Sequence, residues 1–218
     1  MEVNSHIVSD AAELLSRSNE LAEALGEFLT LMPNDNSARI TSSRTLCGVS
    51  FEHAESVRIL IATGNFTSSL GVLRMQYEAL VKAMWIRYAA SESSVSKLAF
   101  ELNHETAKRA DKVPQLSDML GELDGKAPKQ AIDPLLEFKE YSWKPLSSYI
   151  HGGLHALDRH SKGYPVSLLS QAARSSNGLL MMTGMMLVIL SGDARHSGNI
   201  SSIGRRFADC LPDPVAST

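Results

Sequence analysis

From Thr67 to Ala90 the chain runs without a proline, and Leu70, Leu73, Tyr77, Leu80, Val81, Met84 and Tyr88 recur along it at helical spacing. At roughly 100° per residue these seven fall in one stripe. A helix of that length spans roughly 36 Å. Its apolar stripe is stable only against partners of similar length, so this segment already asks for a bundle. No stretch of the chain shows sustained alternation or a β-branched run. The expectation is an all-α fold, a single-domain antiparallel helical bundle of about six to eight helices.

Punctuation residues place the partners. Asp10-Ala11-Ala12-Glu13 has the form of a capping box, and Leu14, Leu21, Leu25, Phe28 and Met32 follow at helical spacing, so a first helix starts at Asp10 and stops before Pro33. A second runs from about Thr45 to Thr63, closed by Gly64-Asn65, and the third from about Thr67 to Ala90. A fourth, Ser94 to Lys112, halts before Pro114, and a short one lies near Leu116–Leu123. Asp133-Pro134 opens a helix to about Glu140, Pro145 opens another carrying His151, and Pro165 opens the last long one to about Leu190. The tail from Gly192, with Pro212 and Pro214, should fray. The domains are then 1–40, an acidic helix and linker; 41–191, the bundle; and 192–218, the tail.

Charge and cysteine content exclude several classes. The formal charge is −3 and the pI about 6.2, which argues against a strongly basic nucleic-acid binder and leaves room for a local patch. The acid is concentrated: residues 1–40 carry −5 and residues 41–112 carry +2. Cys47 and Cys210 are far apart and read as reduced, partly buried thiols. No signal peptide is readable in MEVNSHIVSDAAEL, and Leu179 to Leu190 is too short an apolar run to span a bilayer, so the expectation is cytoplasmic with no membrane partner. Met181, Met182, Met185 and Met186 would suit a homodimer interface, although core is the commoner use of such a stripe.

Two features carry chemistry. Arg74 falls inside the apolar stripe of the third helix, and Glu78, four residues on, can reach it. Burying an arginine alone costs several kcal/mol, so Arg74 is either a structural partner of Glu78 or a cleft residue ready to hold phosphate or carboxylate. The second feature is Tyr141-Ser142-Trp143-Lys144-Pro145-Leu146-Ser147-Ser148-Tyr149-Ile150-His151-Gly152-Gly153-Leu154-His155 and on to His160. On one helix from Pro145, His151, His155 and Asp158 share a face. Gly152-Gly153 within a helix costs about 1 kcal/mol per glycine, which a close helix or a ligand near the backbone would have to favour. His151 could move a proton. His151, His155 and Asp158 also have metal-ligand spacing, with Glu101, His104 or Glu105 as further ligands, but the signal lacks a metalloprotease glutamate. No metal and no cofactor is the expectation. Phosphate-loop, dinucleotide, nucleophile-elbow and zinc-finger motifs are absent from the sequence. Lys108-Arg109 and Arg205-Arg206 read as solvated basic pairs.

His53-Ala54, Ile59-Leu60, Gly64-Asn65-Phe66, Leu73-Arg74-Met75-Gln76-Tyr77-Glu78-Ala79 and Leu146-Ser147-Ser148-Tyr149-Ile150-His151-Gly152-Gly153 together resemble HEPN-like bacterial proteins, over roughly residues 45–190. More narrowly they resemble uncharacterised bacterial families with an R-x-x-x-E helix and a later S-x-x-I-H helix; Arg74, Glu78, Ser148 and His151 are the distinctive positions. The resemblance implies an antiparallel helical bundle, often a homodimer. In its nuclease branch it implies metal-independent RNA cleavage, in a setting of bacterial stress or phage defence. Such nucleases carry Arg-x4–6-His on one late helix, and no histidine here follows an arginine at that spacing. A site would therefore be assembled across helices, with Arg74 holding phosphate, Glu78 orienting it and His151 transferring a proton. The first expectation is a binding or regulatory module for RNA, nucleotide or a protein partner, with Arg74, Tyr141, Ser148 and His155 as ligand contacts. A ribonuclease on Arg74, Glu78 and His151, and a metal-dependent hydrolase on His151, His155 and Asp158, are the alternatives.

Overall fold

The computed structural model describes residues 2–99 and 113–213, with side chains described for 10–98 and 113–213. Among the described residues there are nine α-helices and no strand. They are α1 (Glu2–Gly26), α2 (Ala38–Ala62), α3 (Phe66–Tyr88), α4 (Glu92–Ala99), α5 (Leu116–Leu123), α6 (Lys129–Ile150), α7 (Leu154–Lys162), α8 (Val166–Ser191) and α9 (Ser197–Arg206). The chain is all-α, and its helices pack as one bundle around a continuous core.

The third helix is where the periodicity put it, and it is the axis of the fold. It packs on α2, α5, α6 and α8. Leu70, Leu73, Tyr77, Leu80, Val81 and Met84 are buried, but so are Gln76, Ala83, Trp85 and Ile86 on its other sides. Each fully buried leucine contributes roughly 1.5–3 kcal/mol relative to exposure. What stays open on α3 is a narrow seam. Arg74, Glu78 and Lys82 are half-buried along it at i, i+4 and i+8, with Met75 exposed beside them. Arg39 at the start of α2 donates to the carbonyls of Ile86 and Ala90 and pairs with Glu92, which satisfies the end of α3 and joins it to α4.

Polar groups fix how α8 lies in the core. Gln76 donates to the Ser176 carbonyl at 2.9 Å and accepts from Ser176 Oγ at 2.7 Å. Ser50 and Thr183 share a hydrogen bond at 3.0 Å. A one-residue slip of α8 would break both pairings and leave the Gln76 side chain unpaired, and a buried unpaired donor costs about 1–3 kcal/mol. Among the described residues α8 is the one helix long and apolar enough to cross a membrane, and most of it is covered by other helices. Of the four methionines Met186 is buried, and Met181 packs against Gly204 of α9.

Several boundaries differ from the expectation. The first helix starts at Glu2, eight residues before the Asp10 box, and it ends in a tight turn at Glu27–Thr30, which leaves Met32 exposed rather than in the core. The second begins at Ala38, where Ser37 Oγ accepts from the Ile40 N–H. The fourth is described only to Ala99; its extension to Lys112 and the pair Lys108-Arg109 lie outside the described residues. The helices expected from Pro134 and from Pro145 are one, α6, with both prolines inside it. A proline at mid-helix forfeits one hydrogen bond at about 3 kcal/mol. Burial of Ile132, Leu135, Leu146 and Tyr149, and the Tyr77 Oη bond to the Leu135 carbonyl at 2.7 Å, offset that loss.

The helix drawn from Pro145 through Arg159 is broken. α6 ends at Ile150, α7 begins at Leu154, and Gly152 sits between them at φ +62°. The two glycines are therefore a turn and not a costly interior of a helix. From Gly192 to Asp213 the chain does not fray either, while Pro214 and the residues after it lie outside the described residues. Phe207 and Cys210 are 1% exposed, Arg17 grips both oxygens of Asp209, and Asn177 donates to the Cys210 carbonyl at 2.8 Å.

Candidate functional site

The antiparallel pair α3 and α6 builds the site. Going up α3 and down α6, Gly71 faces Ile150, Arg74 faces Ser147 and Trp143, and Tyr77 stacks on Phe138 with ring centroids 4.5 Å apart. Arg74 is held on three sides. Its Nε donates to Glu78 Oε1 at 2.8 Å, and its Nη1 donates to Ser147 Oγ at 2.8 Å. Its guanidinium lies 3.9 Å from the centre of the Trp143 ring. Ser147 is itself oriented, because its hydroxyl donates to the Trp143 carbonyl one turn back. The Arg74 side chain is 15% exposed. Its Nη2 has no hydrogen-bond partner among the described residues, and it is not among the buried orphaned atoms.

That guanidinium stands at a cleft of about 280 Å³. The α3 wall is the seam Arg74, Glu78 and Lys82. The opposite wall is apolar: Val113, Pro114, Leu116 and Met119, at the start of α5. Trp143 of α6 closes one end and Gln115 contributes a polar edge. Gln115 also accepts from the Asp118 N–H while Asp118 accepts from the Gln115 N–H, a capping box that fixes where α5 begins. Trp85 Nε1 donates to Glu122 Oε2 at 2.7 Å and ties α5 to α3. Among the described residues the lining carries two cations, Arg74 and Lys82, and one carboxylate, Glu78. A guanidinium with two of its edges satisfied and its plane stacked is pre-organised to hold one oxyanion on the third edge.

The residues singled out from sequence divide into two groups. Arg74 and Glu78 come together as expected, and they line the cleft. The serine that meets Arg74 is Ser147 and not Ser148. Ser148 Oγ accepts from the His155 N–H at 2.9 Å and caps α7. His151 lies one turn beyond Ser147 on α6, its N–H donating to the Ser147 carbonyl at 3.2 Å and its side chain exposed, outside the residues that line the cleft. Tyr141 is 70% exposed, away from the cleft, and His155 is exposed with its ring 6.3 Å from that of Tyr149.

The metal spacing disappears with the helix that carried it. His151 ends α6 while His155 and Asp158 sit on α7, and Asp158 pairs with Lys162, which holds its carboxyl below the usual range. Among the described residues no group of three His, Cys, Asp or Glu side chains comes together as a metal site. Glu101, His104 and Glu105 lie outside the described residues. Burial pushes the Cys47 thiol up to about 12, so it is no nucleophile at neutral pH.

Trp143, Ser147 and Lys82 are the residues that sequence reasoning missed. Trp143 and Ser147 precede His151 by eight and four positions, so the face that was drawn forward from His151 also runs backward to them. Lys82 stands to Glu78 as Glu78 stands to Arg74. Neither the curated proteins nor the solved structures hold a match to this chain. Residues 47–213, which include every residue of the cleft, match the model of DUF6988, a family of unknown function, and the chain belongs to that family.

Proposed function

We propose that this protein is a binding or regulatory module of HEPN-like type whose cleft between α3, α5 and α6 receives an anionic group of its partner. The observation that carries the reading is Arg74, half-buried, fixed by Glu78, Ser147 and Trp143, with Nη2 left for a ligand. Lys82 adds a second cation two turns along the same seam. The HEPN-like part of the reading is supported by an R-x-x-x-E helix lying antiparallel to a later S-x-x-I-H helix, joined through Arg74 and Ser147. Binding is favoured over catalysis because the His151 imidazole stands in solvent outside the cleft, and proton transfer needs hydrogen-bond reach.

Thermal melting tests the reading, since a ligand that binds only the folded chain raises Tm. Polyglutamate or polyuridine at low salt should raise the Tm of the wild type, while neutral polyethylene glycol should not. The shift should shrink in Lys82→Gln, which removes one cation without touching the Arg74 contacts. No shift with either polyanion ends the reading.

A further inference from the structure

Resting on the anion-binding reading, we propose that the cleft takes an extended acidic peptide segment of a protein partner, in which carboxylates four residues apart are separated by aliphatic, neutral and aliphatic side chains. The two cations are the first ground. Arg74 and Lys82 are eight residues apart on one face of α3, roughly 12 Å along the helix. In an extended peptide, side chains four residues apart point the same way and lie roughly 13 Å apart. One carboxylate meets Arg74, a second meets Lys82, and the residue between them faces Glu78 and must be uncharged.

The opposite wall supplies the alternation. Side chains at the intervening positions of an extended peptide point the other way, toward Val113, Pro114, Leu116 and Met119. That wall offers contact to aliphatic groups and nothing to charge. The peptide pattern is therefore acid, aliphatic, neutral, aliphatic, acid. At about 280 Å³ the cleft is at the small end of ligand sites, which suits a few side chains of a strand lying across it.

The same features disfavour a nucleic acid. Bases bind single-strand sites by stacking on open aromatic faces. Trp143 is the one aromatic residue lining the cleft among the described residues, and Arg74 covers one face while Tyr77 sits 5.9 Å from it edge-on. Phosphates bind the free N–H groups of helix starts. At the start of α5 the Gln115 and Asp118 side chains already form a capping box, which takes up the Gln115 and Asp118 N–H groups. Glu78, between the two cations, penalises a strand that carries charge on every unit.

The test is fluorescence anisotropy on the whole chain at low salt with three labelled probes: a peptide of three Glu-Leu-Gln-Leu repeats, its counterpart with glutamine in place of every glutamate, and a polyuridine dodecamer. The acidic peptide should bind, weaken as salt rises, and beat the glutamine peptide at least tenfold. Lys82→Gln should weaken it several-fold, and Arg74→Met more. Lys82→Gln keeps the test decisive if Arg74→Met fails to fold. Equal binding of the two peptides, or no loss in Lys82→Gln, overturns the proposal. Polyuridine binding tighter than the acidic peptide overturns it and leaves the anion-binding reading standing. No binding of either anion overturns both.

Discussion

Arg74 is both a ligand group and a tie between two helices, and its stability cost can be separated from its binding cost. Arg74→Met keeps the side-chain stem and removes two hydrogen bonds and the stack on Trp143. A charge-assisted hydrogen bond to a part-buried partner contributes about 1.5–3 kcal/mol, and the cation–π contact about 0.5–2 kcal/mol. Glu78 is 40% exposed and can turn to water, so no charge is stranded. A urea midpoint corresponding to a loss of about 2–3 kcal/mol is expected, whereas Ser147→Ala should cost about 1 kcal/mol. A loss below about 0.5 kcal/mol for Arg74→Met would show that the tie is not structural. The Arg74–Glu78 half of this arrangement was readable, because neighbours one turn apart meet on any helix. Ser147 and Trp143 were not, because periodicity gives a face but not what lies opposite it across 73 residues of chain.

At the scale of elements, the junction of α6 and α7 decides where the histidines go. Gly153 packs so closely that a Cβ there would lie 2.7 Å from Ser148 Oγ, the atom that caps α7. Gly152 meets nothing, but its φ of +62° is costly for any residue with a Cβ. Gly152→Ala should destabilise by about 1 kcal/mol through backbone strain alone. Gly153→Ala should cost about as much through loss of the cap. The two mechanisms separate in a double-mutant cycle. On a Ser148→Ala background the Gly153→Ala cost should shrink, because the clashing oxygen is gone, while the Gly152→Ala cost should not. Urea midpoints of the wild type and the five variants check this, and additivity at both positions would sink the account. The sequence did contain the break: two adjacent glycines are a turn signal, and reading them as interior helix kept His151, His155 and Asp158 on a face that does not exist. The prolines misled in the opposite direction. Pro134 and Pro145 look like helix starts, yet α6 runs through both because its buried side and the Tyr77 bond outweigh the lost ladder bonds. The long helices α3 and α8 were legible because their apolar patterns are long, and packing had little local preference to override.

Across the whole molecule, the segment after α8 is a clasp, and charge closes it. Arg17 of α1 donates to Asp209 Oδ2 at 2.8 Å and Oδ1 at 3.1 Å, and to the Arg206 carbonyl. Its guanidinium and that of Arg206 lie 4.6 and 4.5 Å from the buried Phe207 ring, and Arg174 donates to the Asp209 and Leu211 carbonyls. The proline-bearing tail looked loose because its anchors are single residues, and their partners lie on α1 and α8, far away in sequence. The clasp should fail in acid, and the sign follows from Asp209. The hydrogen bonds and charge of Arg17 hold its carboxyl below the ordinary range, so the folded chain keeps it ionised where the unfolded chain would protonate it. Its stabilisation is complete above the ordinary aspartate value of about 3.9 and is lost as pH falls through the lowered one. Asp193, brought down to about 2 by Arg195, adds to the same loss at the junction between α8 and α9. Asp209→Asn isolates the clasp from the other carboxylates. At pH 7 the variant should have a lower urea midpoint than the wild type, and the two midpoints should converge as the pH falls below about 4 and the wild-type carboxyl takes up its proton. A gap that does not begin to close as the pH falls below the ordinary aspartate value would mean that Asp209 acts through shape and neutral hydrogen bonding, and that the pairing with Arg17 contributes nothing through charge.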